Sequence, residues 1–312
     1  MKGPLFYSKI LLFGEYGIIK DSKGLSIPYN FFKGALKTEK TLSEAGKRSN
    51  DSLRRFAEHL AKIQEENPSL VTFDIEALRN DLEKGMYFDS SIPQGYGIGS
   101  SGALVAAIYD KYAKNKITIL ENLTREKLLK LKTIFGKMES FFHGKSSGLD
   151  PLNSYLSLPI LINSQDNIES TSIPSQNKDG KGAVFLLDSG ITGETAPMVQ
   201  IFMEKMKHEG FRTVLKEEFI KHTDACVEDF LTGNVKSLFG NIKQLSHVVL
   251  DHFKPMIPPQ FHQLWEQGIE TNDYYLKLCG SGGGGYILGF TQDIEKAKNA
   301  LKEYRLEVVY NF

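Results

Sequence analysis

Ten residues, Pro93-Gln94-Gly95-Tyr96-Gly97-Ile98-Gly99-Ser100-Ser101-Gly102, set three alternating glycines and two serine hydroxyls directly ahead of the apolar stretch Ala103-Leu104-Val105-Ala106-Ala107-Ile108-Tyr109. The chemistry open to such a run is anion binding. Glycines let the backbone turn its amides toward an anion with no Cβ in the way, and a helix start adds unpaired N–H groups and the positive end of a dipole. The hydroxyls of Ser100 and Ser101 can hold a phosphate oxygen or a metal ion there. The run is not the G-x-x-x-x-G-K-[ST] loop, because no lysine follows its last glycine, and it lacks the glycine spacing of a dinucleotide fingerprint. Taken alone, it is also what a turn closing onto a tightly packed helix needs.

Other residues could do chemistry in company. Lys9 interrupts an apolar strand, where an amine either snorkels to solvent at an edge or serves a site. Glu139 is either a solvated helix charge or a ligand, and Asp150 is either an Asp-Pro turn starter or a base. Thr195, in Gly193-Glu194-Thr195, is a helix N-cap or a substrate contact. A second glycine run, Gly280-Ser281-Gly282-Gly283-Gly284-Gly285, sits tightly between two apolar strands, which marks a close backbone approach to a ligand or another loop. His143 and His247 have no H-E-x-x-H pattern or further ligand cluster around them, so they are read as packed or capping residues, not metal ligands. Cys226 and Cys279 are too few for a disulfide framework and are read as buried reduced thiols.

The elements that must position these groups follow from periodicity. Residues 6–15 read as a strand broken at Gly14, and Met86–Ile92 as the strand feeding the first glycine loop. Helical spacing covers residues 49–65 and 125–143, the latter giving way at 144–151 to a loop of small residues. A polar stretch over 163–182 marks a boundary, dividing the chain into domains 1–175 and 176–312. Beyond it come a buried strand at 183–188, helices near 197–207, 216–230, 235–252 and 259–270, and strands at 275–279 and 286–290 around the second glycine run. A helix at 296–305 and a strand at 306–310 close the chain, with no internal repeat.

At 312 residues, 41% hydrophobic and 24% charged, the chain reads as a globular protein large enough for two domains. Its 38 basic residues balance 38 acidic ones, so no overall positive field exists to gather nucleic acid or an anionic membrane. No stretch approaches the roughly 20 apolar residues of a bilayer crossing, and the expectation is a cytoplasmic protein. The sequence leaves a homodimer open.

Three segments in one order, Lys9 to Glu15, Pro93 to Gly102 and Lys277 to Gly285, resemble the motifs of the GHMP kinase superfamily. Its second motif has the form P-x-G-x-G-L-G-S-S-A, from which this chain departs only at Ile98 and Gly102. Within the superfamily the mevalonate kinases are most similar: Glu139, His143-Gly144 and Ser147-Gly148-Leu149-Asp150 reproduce a set they carry in that order. Where their first motif ends Gly-Glu-His, this chain has Gly14-Glu15-Tyr16.

The resemblance implies an α+β fold of two domains, the first like ribosomal protein S5 domain 2 and the second ferredoxin-like, with the nucleotide between them. It implies transfer of a phosphoryl group from ATP to a small alcohol, mevalonate or similar, in isoprenoid biosynthesis. Phosphomevalonate kinase is the first alternative, and a diphosphomevalonate decarboxylase-like lyase the second. On the same resemblance Pro93, Gly95, Gly97, Gly99, Ser100 and Ser101 cradle the phosphates, helped by Gly280, Ser281, Gly282 and Gly283. Ser101 and Glu139 hold Mg²⁺, Asp150 acts as base beside Lys9, and Glu15, Tyr16 and Thr195 face the acceptor.

Overall fold

In the computed structural model, which describes residues 3–118 and 122–312, the chain packs as two compact units that interleave along the sequence. The first contains the chain up to Lys9, Ile27–Pro93 and Gly99–Leu158, and the second Ile10–Ser26, Gln94–Ile98 and Pro159–Phe312. Packing thus divides the chain elsewhere than at residue 175. The hairpin that follows Leu158 pairs with Gly24–Ser26 and so joins the second unit.

The first unit holds Phe6–Lys9 of strand β1 (Phe6–Phe13) and Ile27–Thr38 of its neighbour β2 (Gly24–Thr38), and helix α1 (Glu44–Glu66) follows. Short strand β3 (Thr72–Phe73), helix α2 (Ile75–Glu83) and strand β4 (Met86–Ser90) come next, with β4 antiparallel to the far half of β2 from Gly34↔Ser90 to Thr38↔Met86. Helix α3 (Ser100–Tyr112), strand β5 (Ala113–Lys114), helix α4 (Arg125–His143) and helix α5 (Leu149–Leu156) complete the unit. Leu53, Phe56 and Leu60 of α1, Leu131 and Phe135 of α4, and Val105, Ala106 and Ile108 of α3 are all buried.

How the helices start separates packing from site. Ser43, Asp74 and Thr124 cap α1, α2 and α4 by accepting a hydrogen bond from the third residue beyond each. Helices α3 and α5 instead begin at left-handed glycines, Gly99 (φ 82°) and Gly148 (φ 74°). The Leu149 amide of α5 donates to Ser147 Oγ at 3.4 Å, whereas no side chain caps α3, whose first amides are left for something else.

The second unit opens with strands β6 (Ile160–Ser164) and β7 (Asn167–Ser170), the first antiparallel to the near end of β2. Strand β8 (Ala183–Asp188), helices α6 (Thr195–Lys205), α7 (Glu209–Val214), α8 (Lys221–Thr232), α9 (Val235–His252) and α10 (His262–Thr271), strands β9 (Tyr275–Leu278) and β10 (Tyr286–Thr291), helix α11 (Ile294–Ala300) and strand β11 (Leu306–Asn311) follow. The four strands stand in the order β11-β8-β10-β9, every neighbour antiparallel. That is the β-α-β-β-α-β order of a ferredoxin-like domain with extra helices after β8. Ala183 to Leu187 are fully buried at the centre, as their apolar run predicts. Trp265 is buried with its Nε1–H donating to the Ser246 carbonyl at 3.0 Å, and Cys226 and Cys279 are buried thiols outside any disulfide.

Three of the elements that differ from the periodicity reading have a clear local reason or bound. Strand β2 was hidden because Gly24, Pro28, Asn30 and Gly34 interrupt its alternation, yet pairing at both ends carries the chain through. Helix α5 occupies part of the expected loop at 144–151, because Pro151 falls in its first turn, where proline costs no intrahelical bond. Helix α11 ends at Ala300, short of the expected 305. Among the described residues no helix is long and apolar enough to cross a membrane.

Candidate active site

Lys9 is where the sequence is most at odds with ordinary packing, and its surroundings account for it. The residue is 3% exposed and does not reach an edge. A Cβ on Gly99 would lie 3.0 Å from Lys9 Cγ and 3.2 Å from Cε, so the aliphatic stem runs along this glycine of the loop. Its ammonium meets Asp150 Oδ1 at 2.9 Å. Asp150 is the second residue of α5, and 38% of its side chain is exposed while Lys9 is enclosed. The pair therefore joins an inaccessible cation to a carboxylate that solvent or a ligand can touch.

Gly102 brings α5 to this place. A Cβ there would stand 2.8 Å from Asp150 C and Pro151 N, closer than real side chains come, so the start of α5 lies against the first turn of α3. Ser101, one residue earlier, donates from Oγ to Glu139 Oε1 at 2.8 Å. His143 Nε2 lies 3.0 Å from the same Oγ; with the hydroxyl proton given to Glu139, the imidazole is the donor of that contact. The sequence reading had set His143 aside. The signal was its place four residues after Glu139, which puts both on one face of α4.

Glu139 is 4% exposed. Its second oxygen, Oε2, accepts from Ser146 Oγ at 2.5 Å. Burial, and then the charge of Asp150, push its carboxyl up to about 7, against the pull of the Ser146 and Ser101 hydroxyls and of Lys9. Ser101 and Glu139 thus offer hard oxygen donors side by side. Among the described residues no group of three or more His, Cys, Asp or Glu stands together as a metal cage. The donor set fits Mg²⁺, which is held by one or two protein oxygens and completes its shell with phosphate and water. The uncapped amides of α3, its dipole and the Lys9 ammonium likewise suit an anion. Pro93 ends one segment of this first unit, and Ser100 opens α3.

The remaining residues singled out in the sequence lie in the second unit. Glu15 Oε2 pairs with Lys277 Nζ at 2.6 Å, both side chains being at most 4% exposed, and the ammonium also donates to the Leu278 carbonyl at 2.9 Å. Tyr16, at φ 59°, is buried; its hydroxyl donates to the Ser281 carbonyl at 2.6 Å, and its ring stacks on Phe202. Burial, and secondarily Glu15, raise its phenol well above the usual range. Thr195 opens α6, and Ser281 Oγ donates to its Oγ1 at 3.4 Å.

Within that unit three loops interlock through their backbones. A Cβ on Gly97 would be 2.6 Å from the Cys279 carbonyl oxygen, and one on Gly285 would be 2.5 Å from Tyr96 Cα. Gly193 N–H donates to the Gly95 carbonyl at 2.8 Å, and Gly285 N–H to Ile191 at 2.6 Å. Gly95, Gly97, Gly280, Gly282 and Gly283 therefore stand where neighbouring loops, or Met198 beside Gly283, leave little or no room for a side chain. The close approach expected of the second glycine run is an approach to other loops.

Residues 55–157 match the family described as GHMP kinases N terminal domain. No curated protein sequence matches the chain. Among solved structures it is similar to an L. major mevalonate kinase in complex with R-mevalonate, at 17% identity over 97% of this chain and 93% of that one, with a TM-score of 0.62. It is likewise similar to a Lactococcus lactis galactokinase complexed with galactose, at 12% identity, 98% and 92% coverage and a TM-score of 0.64. A Streptococcus pneumoniae phosphomevalonate kinase in complex with phosphomevalonate and AMPPNP shares 13% identity over 99% and 100%, with a TM-score of 0.62. Residues 55–157 thus match a GHMP kinase N-terminal domain, and the chain shares its fold from end to end with these solved kinases.

Proposed function

We propose that the chain transfers the γ-phosphoryl group of ATP to the hydroxyl of a small alcohol, with the primary hydroxyl of mevalonate as the first acceptor to test. The observation that carries the reading is the Lys9–Asp150 pair at 2.9 Å, set against the glycine loop at Gly99 and Gly102. Phosphoryl transfer asks the protein for position and charge more than for covalent chemistry. The amides opening α3 bind phosphate oxygens, and the enclosed Lys9 ammonium adds positive charge beside them. Asp150, half open to its surroundings, accepts the alcohol proton as the new O–P bond forms and the β,γ-bridging O–P bond breaks to release ADP. Lys9 holds that carboxylate in place and offsets charge on the moving group. Ser101 and Glu139 would hold Mg²⁺, which when bound supplies positive charge to the phosphates.

The choice of mevalonate rests on Glu139, His143-Gly144 and Ser147-Gly148-Leu149-Asp150 and on the mevalonate kinase likeness. Mevalonate, phosphomevalonate, homoserine and galactose, each assayed by coupled ADP release, test it directly. Turnover of another alcohol with none of mevalonate would remove the substrate assignment and leave the reaction class. Asp150→Asn is expected to lower kcat by roughly 10²- to 10⁴-fold with nucleotide affinity kept, and near-normal turnover would mean that the base lies elsewhere.

A further inference from the structure

Ser146 takes no part in the motifs above, yet it touches two of the groups they supply. Its Oγ donates to Glu139 Oε2 at 2.5 Å and accepts from the Gly148 amide at 3.0 Å. One hydroxyl therefore has its proton in a buried carboxylate and its lone pair on the residue at which the chain turns left-handed and starts α5, two positions before Asp150. The segment around it lies flat on α4. A Cβ on Gly136 would be 3.0 Å from the Ser146 carbonyl oxygen, and one on Gly148 would be 2.1 Å from the Lys132 carbonyl oxygen. This leaves the 146–148 turn little freedom to place its hydroxyl elsewhere. Since Ser101 holds Oε1 and Ser146 holds Oε2, the plane of the Glu139 carboxylate is set by two serines from different elements, one opening α3 and one leading into α5.

We propose that Ser146 is a positioning residue that aims the Glu139 carboxylate toward a divalent cation and, through Gly148, fixes the entry of the Asp150 helix, so that one hydroxyl keeps both in register. This rests on the kinase reading for the identity of the cation's company and on the structure for the joint itself. Partners of this kind, one step removed from a metal, typically govern its affinity by roughly 10- to 100-fold.

The test compares Ser146→Ala and Ser146→Thr with the natural protein. Mn²⁺ uptake in the presence of AMPPNP is followed by electron paramagnetic resonance, and hydrogen exchange of the Gly148 amide is followed in the ligand-free protein. Loss of the hydroxyl should weaken Mn²⁺ binding by roughly 10- to 100-fold and speed Gly148 exchange by roughly fivefold or more, while AMPPNP affinity without metal and the melting temperature stay close to natural. Ser146→Thr, which keeps the hydroxyl, should restore both. Unchanged Mn²⁺ affinity in Ser146→Ala overturns the aiming of Glu139, and unchanged Gly148 exchange overturns the joint. If the natural protein takes up no AMPPNP at all, the kinase reading falls, and the exchange measurement alone then decides the joint.

Discussion

Burial of Glu139 carries an electrostatic cost that is measurable without any ligand. Its carboxyl is raised to about 7, first by burial and then by Asp150, whereas in an unfolded chain it would titrate near ~4.3. Between those values the folded protein holds a proton that the unfolded chain releases. The contribution to stability is thus fully present below ~4.3 and is lost as pH rises through about 7. Glu139→Gln, which cannot ionise, should gain on the natural protein in melting temperature as the pH is taken from 5 to 8; a gap that stays constant over that range would refute the assignment. Sequence drew attention to Lys9 as an amine in an apolar strand, and to Asp150 and Glu139 only through their resemblance to mevalonate kinase motifs, since spacing alone left each open to a plain structural role. It did not expose Ser146, whose role depends on a turn folding back onto Gly136 and Gly148, a proximity that no local pattern encodes.

Between elements, the close fit of α5 on α3 is the feature most sensitive to one methyl group. A Cβ on Gly102 would lie 2.8 Å from backbone atoms of Asp150 and Pro151, and neither can swing aside as a flexible side chain would. Gly102→Ala would restore the alanine that similar motifs carry, yet here it should destabilise by about 1–3 kcal/mol and lower turnover by moving Asp150 off Lys9. Gly240, inside α9 with nothing within 4 Å of a would-be Cβ, is the control: Gly240→Ala should stabilise by up to about 1 kcal/mol. Equal melting temperatures for the two variants would contradict this account. The elements themselves were unevenly legible. Helix α4 and strand β8 matched their periodicity because their apolar faces are continuous. Strand β2 and helix α5 were missed because proline and glycine there sit at positions where pairing or a first helical turn tolerates them.

At the scale of the whole molecule, the interleaving of the two units limits how the chain can be cut. A fragment of residues 159–312 keeps most of the second unit but lacks Ile10–Ser26 and Gln94–Ile98. It would lose Phe13, whose ring lies 5.5 Å from that of Phe290 and 6.2 Å from that of Phe230, and would leave Lys277 buried without Glu15. An uncompensated buried charge costs about 3–5 kcal/mol, a large share of a domain's stability. Such a fragment should show no cooperative thermal transition by circular dichroism, and a sharp one would mean that the missing segments are dispensable. This interleaving was not legible in the sequence, since composition reports where the chain turns polar and not which segments return to a distant partner. The interlocked glycine loops add a constraint in time. At synthesis rates of about 5–20 residues per second, Gly280 is made roughly 10–40 s after Gly97. Until Gly193 and then Gly280 are made, the 94–98 segment lacks the loops it packs against, so a nascent chain that buried those glycines early against anything bulkier would block the last contact the loop awaits.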